Sequence, residues 1–240
     1  MSDASSKEPA GTAVDAGRSR PHAPVWHTAL LVALIVAVAL AGTLLEHAAP
    51  ASTPSRPGSR FGAYAPLLVV EWGLLAYVSR VGRPPGTLAL LLGKRWGSVR
   101  RACGDLVVAL AIFAIIEALE WGWARATGSG RAEAAAALLP RTAAERAAWM
   151  FVAASTAFCE EVTYRGYLRT QLAFFTRRTW IGIALQAVLF GVAHVDQGVA
   201  AASRVAAYGA ILGVAADRRA SLLPGAIAHV AVDALPGLLG

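Results

Sequence analysis

The chain has 240 residues, of which 56% are hydrophobic and 15% charged, and its mean hydropathy is +0.52. This is too apolar for an ordinary soluble domain and points to an integral membrane protein. The net charge of +7 sits in short links between apolar runs rather than in a stripe interleaved with aromatics, which argues against a nucleic-acid partner.

Residues 1–25 are rich in Ser, Ala, Gly, Pro and charge without an apolar period, and are expected to form a disordered cytoplasmic tail. The first apolar run, Trp26 to Leu45, is long enough to span, and both it and its polar lead are too long for a secretory signal, although Ala49-Pro50-Ala51 faintly resembles a cleavage site. A second span is expected over Phe61 to Val78. The polar stretch after it carries Arg80, Arg83, Lys94, Arg95, Arg100 and Arg101, the densest basic cluster of the chain, and is assigned to the cytoplasm. A third span follows from Gly104 to Trp123. Arg125 to Arg146, Ala-rich with Arg131, Glu133, Arg141 and Glu145, reads as an interfacial helix on the outer side.

The fourth span starts near Ala147 and continues past Arg165 to about Phe174, before the turn Thr176-Arg177-Arg178-Thr179. The fifth covers Trp180 to Val195 and the sixth Val199 to Ala216, where Gly209 and Gly213 form a small-xxx-small pattern that lets helix backbones approach. The seventh runs from Ser221 to Leu239. The expected fold is an all-α polytopic transmembrane helical bundle of about seven spans. Trp26, Trp96, Trp121, Trp123 and Trp180 fall near span ends as interfacial anchors, and Arg204 is expected to snorkel from the outer end of the sixth span. Cys103 and Cys159 lack metal-type spacing and read as packing residues.

Chemistry concentrates in the fourth span, at Phe158-Cys159-Glu160-Glu161-Val162-Thr163-Tyr164-Arg165-Gly166. Taken alone, the two acids could simply mark the end of a spanning helix. An ionisable group at bilayer depth costs at least ~2.5 kcal/mol, however, and usually faces a wet cavity or a partner. Glu161 lies fifteen residues before Thr176 and His194 fifteen after Thr179, so an antiparallel hairpin places both roughly 22 Å from the turn. His229 and Asp233, spaced i, i+4 in the seventh span, share one face. Two glutamates, two histidines and an aspartate at compatible depths on three helices form the constellation expected of a hydrolytic site, reached here from the cytoplasm.

Glu160-Glu161-x-x-x-Arg165, Phe190-x-x-x-His194 and His229-x-x-x-Asp233, in that order, resemble the three motifs of the CAAX prenyl protease 2 family. This is the Rce1-like or Abi group, whose bacterial members are called CPBP intramembrane proteases. The flanking Arg165-Gly166-Tyr167-Leu168, Gln197-Gly198 and Leu223-Pro224-Gly225-Ala226-Ile227 agree. The resemblance implies a catalytic transmembrane domain over 146–240, preceded by variable transmembrane helices over 26–145. It also implies an endopeptidase in which Glu160 is the main base, with the bilayer and a peptide or membrane-anchored protein as partners. The last motif position is usually Asn in this family; Asp233 removes an amide donor there and puts an oxyanion-binding role in doubt. The Ala, Arg and Gly bias suggests a GC-rich bacterium and its plasma membrane.

The residues support a mechanism of their own. Glu161 and Arg165, acid first at i, i+4, are expected to pair. Glu160 is then left to activate water, with His194 orienting it, while His229 donates to the oxyanion and Asp233 holds the tautomer of His229. No cofactor is expected. The nearest alternative is a zinc ion held by Glu160, His194 and His229, which the absence of His-Glu-x-x-His does not favour. A proton-coupled transporter using Glu71, Glu117 and Glu120 is a further alternative, but it should show an inverted repeat, which the two halves lack; those acids read as isolated groups near helix ends that meet a basic neighbour or the interface. An inactive family member serving as a membrane scaffold or immunity factor is the remaining one. Thr163 and Tyr164 either line the cavity or pack.

Overall fold

A computed structural model of the chain describes residues 23–48, 60–81, 87–128 and 138–239. Most of the expected tail, the Ala49-Pro50-Ala51 site, Arg83, Arg131 and Glu133 lie outside the described residues. Helices α1 (Val25–Ala48), α2 (Phe61–Val81), α3 (Thr87–Leu92) and α4 (Val99–Thr127) form the first half. In the second half α5 (Ala143–Glu160) runs through a π-helical segment (Glu161–Leu168) into α6 (Arg169–Thr176). After these come α7 (Thr179–Val192), a 3₁₀ turn (Val195–Gln197), α8 (Val199–Arg219) and α9 (Leu223–Leu239). No strand occurs among the described residues apart from one isolated bridge, Gly93 to Ser221.

Stretches of α1, α2, α4 and α8 are long and apolar enough to cross a membrane. The shorter α7 and α9, with 14 and 17 residues, fall below the ~20 that a straight span needs. Lipid-facing side chains such as Leu34, Leu44, Val107 and Leu110 are exposed, whereas the π segment, packed among α2, α3, α7 and α8, is buried along its whole length. A bundle whose outside is apolar and whose centre holds the charges is a membrane protein turned toward its own polar core.

Arg125 belongs to the last turn of α4 and Glu145 with Arg146 to the first turn of α5; the middle of the expected interfacial helix, 129–137, lies outside the described residues. Within the stretch read as polar after α2, α3 buries Thr87 and Leu91. It is held by Lys94 N–H donating to Ala220 O at 2.8 Å and Leu222 N–H donating to Leu92 O at 3.1 Å. Gly93 closes this turn at φ 72°, where a Cβ would also strike Ala220 O.

Helix α5 starts on a capping box: Thr142 Oγ1 accepts from Glu145 N–H at 3.2 Å, and the Glu145 carboxylate returns to the Thr142 N–H. That carboxylate also accepts from the N–H groups of Arg60 and Arg141, both at 2.9 Å. These backbone donors, Arg60 foremost, hold it below the usual carboxylate range.

Nothing in the residues around His27 of α1 announces a role for it. It is fully buried, stacks on Tyr77 with ring centres 4.0 Å apart, and meets the Tyr167 hydroxyl through Nδ1 at 2.5 Å. Gln171 adds bonds to Ala23 O at 2.8 Å and Thr28 Oγ1 at 3.0 Å. Polar side chains in an apolar bundle satisfy one another across helices, and this set fastens α1 to the helix that carries the site.

Helices α7 and α8 pack backbone to backbone. Gly191 stands where a Cβ would lie 2.6 Å from Ala202 O and 2.8 Å from Ala206 Cβ, and Gly209 faces Ala187. Gly191→Ala is therefore expected to destabilise the protein by about 1–3 kcal/mol and to displace His194, three residues on. Thermal unfolding in detergent checks this, and a melting temperature equal to that of the wild type would refute it.

Candidate active site

The widened turns of the π segment follow Glu160 directly, and Arg169 N–H donates to Tyr164 O, five residues back. Such segments are rare and frequent at functional sites. Glu161 and Arg165 face each other here, Nε to Oε1 at 3.3 Å, both 0% exposed. The Arg165 guanidinium lies over the Phe190 ring, 4.0 Å from its centre. Neither Glu161 Oε2 nor the terminal nitrogens of Arg165 have a hydrogen bond, and all are sealed from solvent. Gly225 of α9 lies against Glu161; a Cβ there would come within 2.9 Å of Oε2.

Glu160 sits above this pair at 8% exposure. Its Oε1 faces His194 Nε2 at 3.9 Å and its Oε2 faces His229 Nε2 at 3.3 Å. His194 lies just beyond the end of α7 and donates Nδ1–H to Phe190 O at 2.8 Å. A carbonyl can only accept, so in the neutral ring Nε2 carries a lone pair toward Glu160. His229 Nδ1 lies 3.2 Å from Glu161 Oε1, and its Nε2 lies 3.5 Å from Asp233 Oδ2. All six expected residues are thus brought together.

One detail differs from the expectation. It is Glu161, not Asp233, that engages Nδ1 of His229; at i, i+4 on the same helix, Asp233 reaches the opposite nitrogen, which it shares with Glu160. Thr163 and Tyr164 are buried and do not line the cavity, which leaves packing as their role. Glu71 is not at a helix end. It lies mid-helix in α2 at 7% exposure, Oε2 has no hydrogen bond, and its charged neighbours are Glu160 and Asp233. The neighbouring Trp72 donates Nε1–H to Ser155 Oγ of α5 at 2.6 Å. The sequence carried no signal for this placement beyond an acid within an apolar run.

A cavity of about 220 Å³ opens beside Glu160, His194, His229 and Asp233. Its other walls come from Leu67 of α2, Ile116 and Glu120 of α4, Trp149 of α5, Arg204 and Tyr208 of α8, and Pro236 of α9. In each helix these positions lie toward the end away from Arg80, Arg100, Arg101, Arg177, Arg178, Arg218 and Arg219. The cavity lining thus lies toward the end of the bundle opposite the basic cluster. Arg204 does not snorkel: it is 6% exposed and turns inward to Glu120. Among the described residues no three His, Cys, Asp or Glu side chains are placed to hold a metal ion; the two histidines approach opposite oxygens of Glu160 rather than one common point.

An apolar helical bundle with acids, histidines and an arginine gathered around an inner cavity defines a polytopic membrane protein with a buried acid–histidine centre. Residues 142–235 match the model of the Rce1-like family, type II CAAX prenyl endopeptidase Rce1-like. Over that stretch the chain is similar to a family of proteases. The match begins at the N-cap of α5 and contains all six site residues. No curated protein and no solved structure matches the chain.

Proposed function

We propose that the chain is an intramembrane endopeptidase in which Glu160 activates a water molecule to cleave a peptide bond of a membrane-associated peptide or protein. The observation that carries this reading is the position of Glu160, on the cavity wall between Nε2 of His194 and Nε2 of His229. The 3.9 Å gap to His194 is too long for a direct hydrogen bond and suits one water bridging the two. Glu160 takes a proton from that water, the hydroxide adds to the carbonyl carbon, and the oxyanion accepts a hydrogen bond from His229 Nε2–H. The C–N bond then breaks as the proton held by Glu160 passes to the leaving amine.

Glu161 accepts from His229 Nδ1–H and is itself fixed by Arg165, so His229 acts as the imidazolium, the form that also keeps Nε2–H for the oxyanion. Asp233, opposite Nε2, stands where it can favour the donor form of that nitrogen, leaving oxyanion binding to His229 alone. No metal or cofactor takes part in this scheme. With the basic helix ends in the cytoplasm, peptides reach the cavity from the outer face of a bacterial plasma membrane.

The test is cleavage of a library of quenched, membrane-anchored peptides by detergent-purified protein, comparing wild type with His194→Ala, each with and without a chelator. Cleavage is expected in the wild type, to fall in His194→Ala and to be indifferent to chelator. Loss with chelator and recovery with zinc would move the mechanism to a metal. A folded wild type that cuts nothing across the library would overturn the assignment.

A further inference from the structure

The catalytic scheme uses one end of the cavity; the other end is lined by a buried arginine that the scheme leaves idle. Arg204 is in the second turn of α8, shortly after the segment that carries His194, and is 6% exposed. Burying a guanidinium in a spanning helix is costly and usually marks a function. Its Nε lies 3.4 Å from Glu120 Oε2. Tyr208, one turn further along α8, donates its hydroxyl to the same carboxylate, and the Trp123 ring lies 5.8 Å from the guanidinium carbon. Glu120, Tyr208 and Trp123 thus fix the Nε edge.

The other edge is different. Among the described residues, the two terminal nitrogens of Arg204 make no hydrogen bond, and unlike those of Arg165 they are not sealed off. Arg204 lines the same cavity as Glu160 and His229, and between these polar ends the wall is apolar at Ile116, Val205 and Leu212. A guanidinium has five N–H donors in a rigid fork, and a pair of terminal N–H groups left free by an acid on the other edge matches the two oxygens of a carboxylate. In a cavity that also holds Glu160 and Asp233, an acid meets no other permanent cation among the described lining residues: Arg165 lies outside the lining.

Resting on the reading of this cavity as a peptide site, we propose that Arg204 anchors a carboxylate-binding subsite, so that the protein selects peptides with a carboxylate close to the bond to be cut. The carboxylate can come from an Asp or Glu side chain or from the C-terminus of the peptide. Both present the same two oxygens.

The experiment uses two matched peptide pairs, Glu against Gln beside the scissile bond and C-terminal acid against C-terminal amide. Cleavage by wild type, Arg204→Gln and Glu120→Gln/Arg204→Gln is followed as kcat and KM. Binding of the same peptides to Glu160→Gln protein, with and without Arg204→Gln, is followed by fluorescence anisotropy. The double variant removes both charges and guards against misfolding caused by a stranded Glu120; melting temperatures confirm that each protein is folded.

In at least one pair the acid is expected to bind about 10- to 100-fold more tightly than its amide twin. That preference should appear in KM rather than kcat and vanish in both Arg204 variants; the pair that shows it identifies the source of the carboxylate. Equal binding of acid and amide in both pairs, or a preference that survives Arg204→Gln, overturns the subsite. Acid-selective binding without any cleavage would sink the endopeptidase reading and keep the subsite, whereas cleavage blind to the carboxylate would do the reverse.

Discussion

Glu160→Gln is expected to abolish cleavage, lowering kcat by about 10²- to 10⁴-fold, while the protein folds as the wild type does. The amide has nearly the volume of the carboxylate and can still meet both imidazoles, so the packing of α5 on α9 persists. What is lost is the ability to take a proton from water. Glu71 and Asp233 crowd Glu160 with like charge, so the neutral variant should melt no lower than the wild type. The decisive comparison is turnover and melting temperature measured on one preparation. Full turnover in Glu160→Gln would end the role assigned to this carboxylate, and a collapse in melting temperature would show that its contribution is structural.

The second large effect concerns stability. Arg165→Met removes the partner of a carboxylate that is 0% exposed, and breaking a buried pair from one side costs about 3–5 kcal/mol. Glu161→Gln should cost a similar amount, because Arg165 then stays buried with the Phe190 and Tyr164 rings to face its charge. Combining the two, Glu161→Gln/Arg165→Met, should recover much of the loss, since a neutral pair of similar shape suffers no desolvation of charge. Unfolding of all four proteins in one detergent gives the coupling. Strictly additive losses would mean that the two side chains do not depend on each other.

Much of the site could be read from the residues because charge in an apolar run is rare and costly. Glu160, Glu161, His194, His229 and Asp233 stood out on that ground, and spacing alone put Glu161 and Arg165 in reach of each other. The unforeseen parts depend on contacts between distant segments or on very local geometry. Five apolar residues after Thr87, among arginines, carry no helical period strong enough to announce α3. Arg204 and Glu120 are on separate helices, and nothing in either stretch says that they meet; near a helix end, snorkelling is the cheaper guess for a lone arginine. Whether Glu161 or Asp233 takes Nδ1 of His229 depends on how α9 approaches the π segment at Gly225. Glu71 reads as peripheral because nothing in its own stretch shows that α5 packs against it.

The π segment has a consequence for how this chain can change length. A turn closed over five residues instead of four holds surplus residues relative to an α-helix. Deleting one between Arg165 and Arg169 would let ordinary hydrogen bonding resume and keep the helix beyond in phase, so Gln171 would stay with Ala23 and Thr28. Deleting Thr170, in the α-helix that follows, would instead swing everything beyond by about 100°, and α1 would lose its fastening. Single deletions are thus expected to be better tolerated by the fold inside 161–168 than in the turn after it, a pattern that a deletion scan scored by folded yield would reveal.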